Sequence, residues 1–267
     1  MLTKKLAIRI RQNALKMVHR AKASHIASAL SIVDILAVLY GTVMRFDPTD
    51  QNSKFRDRFI LSKGHACVAV YSTLAEVGLI SKEQLETYGD DFSWLMNHIS
   101  HKVNGVEFST GSLGHGLPFG VGKALAAKVR GEAWRTIILL SDGEMDEGAN
   151  WEALMFAAHH KLNNVTAIID YNKLQSLDSI ANTLGLEPLV DKLNAFGCAV
   201  HEIDGHDHQL ILKALLSISL EKPTVIIANT TKGKGVSFME NRVEWHYKNP
   251  NDEQLAMALK ELEIAYA

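Results

Sequence analysis

Two stretches of this sequence share one layout: TIILLSDG occupies residues 136–143 and VTAIIDYN occupies residues 165–172. Each begins with a short, mostly apolar run rich in β-branched residues and ends in polar residues. Runs that lack a polar alternation are typical of parallel strands, because such strands are buried on both faces of their sheet. A helical pattern over residues 150–162 lies between the two runs, so the sequence predicts a strand–helix–strand unit.

The rest of the chain extends this unit into an α/β fold. Two more apolar runs, at residues 198–203 and 224–229, alternate with helical segments. We therefore predict a parallel sheet flanked by helices on both faces, in a single domain that spans residues 1–267. The first quarter of the chain is helical in pattern, with helices predicted at residues 3–20 and 29–43, and further helices are predicted at residues 66–77 and after Ser81. Because residues 29–43 are apolar on most faces, this helix should lie in the core or at a subunit contact.

Composition and charge exclude several classes of protein. Hydrophobic residues make up 47% of the 267 residues, which is enough for a packed core, and no apolar run is long enough to span a bilayer. The 28 basic and 30 acidic residues nearly balance, so neither a nucleic acid nor a membrane is expected as a partner. Cys67 and Cys198 form no metal-ligand pattern, which predicts buried, reduced thiols in a cytoplasmic protein.

Polar residues follow both central strands, where ligands bind in parallel sheets. Asp142, Gly143 and Glu144 follow the first strand, and Asn172 follows the second. A carboxylate and an amide oxygen suit Mg²⁺ or Ca²⁺, and magnesium usually bridges one or two such ligands to a diphosphate. An Asp-Gly turn and an asparagine loop cap explain the same residues without any ligand, so from the residues alone this alternative stays open.

Two segments around these residues resemble the metal–diphosphate motif of thiamine diphosphate enzymes. They are SDGEMDEG at residues 141–148 and DYNKLQ at residues 170–175, with Ser141 in place of the usual first glycine. The resemblance implies that a metal ion is bound by Asp142, Asn172 and the backbone carbonyl of Leu174. It implies further cofactor contacts from Gly143, Glu144 and Asn172.

The flanking segments resemble transketolases in particular. LSKGHA at residues 61–66 is similar to a family segment whose histidine, here His65, lies beside the cofactor diphosphate. GVEFSTGSLGHG at residues 105–116 is similar to a segment whose backbone lines the aminopyrimidine and thiazolium rings. This second similarity implies cofactor contacts from Gly111, Ser112 and Leu113. The motifs occur in the family's order from residue 10 to residue 250, which makes the resemblance specific.

Three further histidines match family positions near the substrate. The resemblance implies that His25, His98 and His246 contact the sugar and act in catalysis, and that His246 also lies near the thiazolium. Imidazoles suit this role because they titrate near neutrality and hydrogen-bond hydroxyl groups through either nitrogen. His101 is an alternative match to the position of His98.

Departures from the family pattern lie where the donor sugar would bind. The SHIAS and NHISHK contexts lack the usual glycines and proline, and Ser112 and His115 replace a proline and a glutamine. These changes resemble split, two-gene transketolases. TTKGKG at residues 230–235 lacks the spacing of a phosphate-binding loop and is interpreted as a turn that leads to His246. His206, within DGHD, is interpreted either as a functional residue or as a cap of the following helix.

The resemblance implies transfer of a two-carbon ketol unit from a ketose donor to an aldose acceptor, with sugar or sugar-phosphate substrates. The implied fold is that of thiamine diphosphate-binding domains, with thiamine diphosphate and Mg²⁺ (or Ca²⁺) as cofactors. The implied partner is a C-terminal, pyrimidine-binding transketolase subunit that carries the cofactor-activating glutamate, in an α2β2 assembly. Two alternatives stay open. One is a subunit of another thiamine diphosphate enzyme that forms acyloins or decarboxylates oxo acids. The other is a nucleotide-binding α/β protein, although no GxGxxG follows a predicted strand.

Overall fold

A five-stranded parallel sheet forms the centre of the computed structural model, which describes residues 2–264. The strands lie in the order β1-β2-β3-β5-β4, and all neighbouring pairs are parallel. Their bounds are Arg58–Leu61 (β1), Thr136–Ser141 (β2), Val165–Tyr171 (β3), Ala199–Asp204 (β4) and Thr224–Asn229 (β5).

Side chains of the central strands point alternately into two cores. On β2, Ile137 and Leu139 belong to one hydrophobic cluster, whereas Ile138 and Leu140 belong to the other. All six residues of this strand are buried. The strand is therefore apolar throughout because both of its faces are covered, as the sequence predicts.

Helices pack on both faces of the sheet. The helix bounds are Leu2–Ala21 (α1), Ile26–Leu30 (α2), Val33–Val38 (α3), Cys67–Glu76 (α4), Gly116–Arg130 (α5), Gly148–His159 (α6), Ile180–Thr183 (α7), Leu189–Ala195 (α8), His208–Leu216 (α9) and Asp252–Ile264 (α10). Helices α1, α3, α4, α9 and α10 contribute to the larger core, and α5, α6, α7 and α8 contribute to the smaller one. This arrangement confirms the predicted α/β fold.

Strand β1 is absent from the sequence-based prediction. It has only four residues and begins at Arg58, next to Asp57, so it lacks a long apolar run. Its backbone pairs with β2 from Arg58–Thr136 to Leu61–Leu139. The strand forms because β2 offers it a free edge, which is tertiary information that a local pattern does not contain.

The predicted helix over residues 29–43 is wrong as a continuous element. It divides into the end of α2, helix α3 and a π-helical turn at Leu39–Val43. At the break, the single hydroxyl hydrogen of Ser31 is shared between Ser28 O and Asp170 Oδ2, which lie 3.0 and 2.7 Å from Oγ. These bonds compete with the regular helical pattern. The segment is buried in the core, which answers the open choice between core and subunit contact.

The helix predicted after Ser81 is a short 3₁₀ turn, Glu83–Thr87, although its capping box forms. Ser81 N donates to Gln84 Oε1 at 2.9 Å, and Gln84 N donates to Ser81 Oγ at 3.3 Å. Both cysteines are buried and free, as predicted. Within residues 2–264, no helix has the length and apolar character needed to cross a membrane.

Candidate active site

A cavity of about 190 Å³ lies at the carboxyl ends of the strands. The segments that follow β1, β2, β3 and β5 all contribute to its wall, because parallel strands end at the same edge of the sheet. Predicted site residues that line this cavity are His25, His65, His98, Gly111, Leu113, Asp142, Gly143, Asn172, Leu174 and His246. Ser112 and Glu144 are the two predicted residues outside this lining.

Glu144 lies fully buried beneath the cavity wall. Its Oε1 accepts a 2.5 Å hydrogen bond from Ser62 Oγ and a 2.9 Å bond from Gly114 N. Burial raises the pKa of Glu144 above its usual value. This carboxylate joins the loops that follow β1 and β2 to the segment that precedes α5. Its hydrogen bonds are therefore made to other parts of the protein and not to the cavity.

The residues predicted to bind a metal ion, Asp142, Asn172 and Leu174, all line the cavity. Asp142 is 2% exposed, and its Oδ2 accepts a 2.6 Å hydrogen bond from Lys173 N, which lies between Asn172 and Leu174. Asn172 Oδ1 accepts a 3.1 Å bond from Leu174 N. The bond between Asp142 and Lys173 joins the loop after β2 to the loop after β3, as predicted from the strand–helix–strand unit.

The chemistry of this donor set fits a divalent cation. Burial, followed by the nearby Asp170 carboxylate, raises the pKa of Asp142 to about 7, so a cation here would favour the charged form. Within residues 2–264, no group of three His, Cys, Asp or Glu side chains is arranged to hold a metal ion by itself. One carboxylate, one amide and one carbonyl instead suit a magnesium ion that is also bound by a phosphate ligand.

Gly143 lines the cavity beside the Gln175 side chain. A Cβ atom on Gly143 would lie 3.1 Å from both Cγ and Cδ of Gln175, which is closer than ordinary contact. The position therefore keeps the backbone accessible from the cavity.

A buried ion pair supports Asn172 from below. Lys63 Nζ donates to Asp170 Oδ2 at 2.6 Å, and the side chains of both residues are at most 1% exposed. Burial raises the pKa of Asp170, but the Lys63 ammonium and further hydrogen bonds outweigh this effect and lower it overall. Asp170 Oδ2 also accepts a 3.0 Å bond from Asn172 Nδ2, which orients the Asn172 amide.

Lys232 is a cavity residue that is absent from the sequence-based prediction. Its side chain is 2% exposed, and Nζ donates to the carbonyl oxygens of Leu174 and Gln175, at 2.9 and 3.0 Å. Burial lowers the pKa of Lys232 to about 8, and Lys63 acts in the same direction. TTKGKG lacks the spacing of a phosphate-binding loop, yet its first lysine reaches the cavity from the loop after β5.

Five other cavity-lining residues are also absent from the sequence-based prediction: Ser28, Lys63, Ser141, Gln175 and Ser176. Of these, Lys63, Ser141 and Gln175 lie inside the quoted motifs, so proximity to a motif is the available signal. Ser28 lies on α2, three residues after His25.

Four imidazoles line the same cavity as the oxygen donors. The ring of His25 lies 5.1 Å from that of His65, 6.1 Å from that of His98 and 4.8 Å from that of His246. The rings of His65 and His246 are 5.6 Å apart. The four family-matched histidines come from four separate parts of the chain, so only the tertiary structure brings them together.

The backbone of His25 is held in an unusual conformation. Its φ angle is 72°, in the left-handed region, and its N–H donates to His246 O at 2.9 Å. The Nδ1 atom of His25 is buried and has no hydrogen-bond partner among the described residues. Backbone strain and an unpartnered polar atom at one position point to a ligand contact.

Burial keeps three of the imidazoles, those of His25, His65 and His246, neutral. It lowers the pKa of His25 to about 4, with smaller effects from His98 and Lys232. It lowers the pKa of His246 to about 3, again with a smaller effect from Lys232. Burial likewise lowers the pKa of His65 well below its usual value. His101 lies outside the cavity, where its Nδ1 is 2.7 Å from Ser109 Oγ, so His98 is the histidine at the site.

Comparison with known proteins assigns this chain to a family. The family described as transketolase, thiamine diphosphate binding domain, matches residues 2–265. One subunit of an apulose-4-phosphate transketolase from Actinobacillus succinogenes is 46% identical over 89% of this chain and 87% of its own length. The SqwG subunit of a 6-deoxy-6-sulfo-D-fructose transketolase from a Clostridium species is 38% identical over 95% of this chain and 94% of its own length.

Solved structures show the same fold. The crystal structure of transketolase from Campylobacter jejuni superimposes with a TM-score of 0.93 and 31% sequence identity over 98% of this chain. This chain spans 43% of that longer transketolase. The sheet, the cavity at its carboxyl edge and these similarities agree: the chain belongs to the transketolase family, as a counterpart of its N-terminal, thiamine diphosphate-binding domain and of the matching subunits of split transketolases.

Proposed function

We propose that this chain is the diphosphate-binding subunit of a two-subunit enzyme that transfers a two-carbon ketol unit from a ketose to an aldose. One observation carries the proposal: metal-type oxygen donors and four imidazoles face the same cavity. A site with only the donors would suit many phosphate ligands. The imidazoles add groups that hydrogen-bond sugar hydroxyls.

Asp142, Asn172 and the carbonyl of Leu174 would hold Mg²⁺, and Gly143 and Asn172 would contact the diphosphate of thiamine diphosphate. The buried Lys232 ammonium, which is hydrogen-bonded to carbonyl oxygens, would complement the negative charge of that diphosphate. His65, with Gly111, Ser112 and Leu113, would contact other parts of the cofactor. When bound, thiamine diphosphate supplies the electron sink for breaking and forming carbon–carbon bonds.

The histidines would bind the sugar and move protons. His25 Nδ1 is buried and unpartnered among the described residues, and the ring is neutral, so Nδ1 is available to hydrogen-bond a sugar hydroxyl. His246 lies beside it, and Ser28 Oγ is 3.5 Å from His246 Nδ1. Since oxo-acid decarboxylation needs fewer hydroxyl contacts, this cluster favours ketol transfer over the alternative of an oxo-acid or acyloin enzyme.

His98 connects the cavity to a wider groove. A second cavity of about 560 Å³ shares His98 and is lined by residues 89–93 and 95–100 together with Ser109 and Thr110. A polyol chain that extends from the reacting carbon would pass His98 and enter this groove. Its walls carry serine hydroxyls and exposed backbone, which suit a hydroxylated substrate.

A second polypeptide is expected because the similar proteins of matching length are themselves named as subunits. Exposed apolar side chains lie directly beside cavity-lining residues: Met96 is 55% exposed, Leu177 is 82% exposed and Tyr247 is 57% exposed. Solvent-exposed apolar groups around a binding cavity are typical of a surface that another protein covers. We propose that a pyrimidine-binding subunit covers this rim, in an α2β2 assembly with two-fold symmetry.

The test is an assay of the chain with and without its partner polypeptide. Ketose and ketose-phosphate donors are offered with aldose acceptors, and release of carbon dioxide from oxo acids is measured in parallel. We expect ketol transfer only when thiamine diphosphate, Mg²⁺ and both polypeptides are present. Ketol transfer by this chain alone would contradict the two-subunit proposal, and oxo-acid decarboxylation without ketol transfer would support the alternative.

Variants separate the roles within the site. His25→Ala and His98→Ala should reduce turnover about 10²-fold or more while cofactor affinity changes little, because their proposed partner is the sugar. His65→Ala should instead weaken cofactor binding. Parental turnover in both of the first two variants would remove the sugar-contact assignment.

A further inference from the structure

A buried network centred on Asp34 lies next to the site but outside its cavity. Asp34 is 3% exposed and accepts hydrogen bonds from Arg11 Nη1 and Nη2, at 3.0 and 2.6 Å. His206 Nδ1 and His208 Nε2 lie 2.8 and 3.1 Å from the same carboxylate. Burial raises the pKa of Asp34, but Arg11 and the histidine hydrogen bonds outweigh this effect and hold it well below its usual value. Arg11, Asp34, His206 and His208 are called the Asp34 network below.

His206 links this network to the backbone amide of Thr231, which directly precedes the cavity residue Lys232. Thr231 N donates to His206 Nε2 at 2.8 Å, so Nε2 carries no hydrogen. The hydrogen of the neutral imidazole therefore lies on Nδ1, where it is donated to Asp34 Oδ2. The ring thus joins the Thr231 amide to the buried carboxylate through one tautomer.

Arg11 holds the other end of the turn formed by residues 231–234. Its Nε donates to Lys234 O at 3.1 Å. The space is tight here, because a Cβ atom on Gly235 would lie 3.1 Å from Arg11 Nε. Thr231 and Lys234 flank Lys232, whose ammonium lies against the Leu174 and Gln175 carbonyl oxygens in the cavity wall.

We propose that His206, held by Asp34 and Arg11, is a positioning residue that fixes the turn at residues 231–234 and thereby the Lys232 ammonium in the cofactor cavity. None of Arg11, Asp34 and His206 lines that cavity, so their effect on it passes through the turn. The inference rests on the proposed function, in which Lys232 faces the cofactor diphosphate. It assigns a role to the histidine of DGHD, whose helix cap is supplied by Asp207 instead.

His208 provides a matched control within the network. It contacts the same Asp34 carboxylate, but its other nitrogen lies 2.8 Å from Thr3 Oγ1 on α1 and not on the turn. Loss of His208 therefore perturbs the buried charge without removing a bond to residues 231–234. Loss of His206 perturbs the buried charge and also removes the bond from Thr231 N.

The first experiment compares amide hydrogen exchange in His206→Ala and His208→Ala, without any cofactor. We expect exchange at residues 231–235 to become about three- to tenfold faster in His206→Ala only, because the Thr231 amide loses its acceptor. His206→Gln should restore slow exchange, since its amide offers one donor and one acceptor. Equal exchange of this segment in the two alanine variants would overturn the proposal.

The second experiment measures thiamine diphosphate binding in the presence of Mg²⁺ by calorimetry. His206→Ala should bind about tenfold more weakly, as is usual when support of a ligand-contacting group is lost, whereas His208→Ala should bind like the parent. In a Lys232→Met background, His206→Ala should cause no further loss, because both changes remove the same positioned ammonium. Additive losses would contradict a role through Lys232.

The two experiments distinguish failure of the proposed function from failure of the positioning role of His206. A parent chain that binds no thiamine diphosphate, alone or with its partner, would contradict the proposed function. The hydrogen-exchange contrast would still decide whether His206 positions the turn. Thermal unfolding of each variant checks that the folded state is retained.

Discussion

At the scale of single residues, the site depends on charges that burial makes costly. Asp142, Asp170, Lys63 and Lys232 all lie at or below 2% exposure around one cavity. Lys63 pairs with Asp170 at 2.6 Å, whereas Asp142 and Lys232 have backbone groups as their hydrogen-bond partners. A cation beside Asp142 and an anion beside Lys232 would offset the cost of burying both charges.

Asp142→Asn should weaken Mg²⁺-dependent binding of thiamine diphosphate by about tenfold or more, because the charged metal donor is lost. Calorimetry with thiamine diphosphate and Mg²⁺ measures the effect. Asp191→Asn removes the same charge from an exposed position on α8 and should bind like the parent. Parental affinity in Asp142→Asn would exclude this carboxylate as a metal ligand.

The neutral histidines predict how stability depends on pH. The pKa of His25 is lowered from 6.5 to about 4 by burial, so between these two values the unfolded chain binds a proton there that the folded chain does not. The free energy of unfolding should therefore fall as pH falls through this window. His25→Gln should flatten this dependence, as measured by urea unfolding at two pH values, one near neutrality and one inside the window.

Ser24→Ala is the control for this measurement, since it changes a neighbouring side chain that does not titrate. It should shift the free energy of unfolding by a similar amount at both pH values. Identical slopes for the parent and His25→Gln would show that His25 makes no contribution to the pH dependence.

At the scale of elements, helix α4 positions two of the four imidazoles. It begins directly after the 3₁₀ turn that contains His65. Cys67 and Tyr71 lie four residues apart on the buried face of this helix. Cys67 Sγ donates to Met96 O at 3.3 Å, and Tyr71 Oη donates to His98 O at 3.2 Å. One helix therefore sets the distance between His65 and the segment that carries His98.

Tyr71→Phe should leave the core packed but release the His98 carbonyl. We expect a loss of about 1 kcal/mol in the free energy of unfolding and a several-fold lower turnover, with cofactor affinity retained. Ser72→Ala is the matched control, because Ser72 Oγ is bonded within the helix to Val68 O. If Tyr71→Phe lowers turnover equally in a His98→Ala background, the tyrosine does not act through His98.

At the scale of the whole molecule, the cavity opens among exposed apolar side chains. Leu177, beside the cavity residue Ser176, is 82% exposed. Leu220 is 88% exposed but precedes β5, at the amino-terminal edge of the sheet. The two leucines are similarly exposed to solvent and differ in their distance from the cavity edge.

Leu177→Asp should weaken association with the pyrimidine-binding partner by about tenfold or more, because a charge would be buried in the contact. Leu220→Asp should not. Light scattering of the chain mixed with its partner measures the assembly, and the α2β2 proposal predicts two copies of each polypeptide. Full assembly of Leu177→Asp would exclude this rim as the contact surface.

The sequence by itself determined the fold class and predicted Asp142 and Asn172 as neighbours, which line one cavity in the structure. Strands β2, β3 and β5 are readable because burial on both faces demands continuous apolar runs, and their polar ends identify the carboxyl edge. Asp142 and Asn172 are predictable as neighbours because one crossover helix separates their strands. The order of the motifs then assigns His25, His65, His98 and His246 to the same predicted site.

Only the tertiary structure decided which other residues reach the cavity. Lys232 carries no local signal, since its ammonium is placed by contacts with Leu174 and Gln175 that lie far away in the chain. Strand β1 and the break at Ser31 likewise depend on partners in other elements, β2 and Asp170. Glu144 lies in the predicted motif, but burial turns its carboxylate toward Ser62 and away from the cavity. Local patterns encode burial and periodicity, whereas these contacts arise from packing between distant segments.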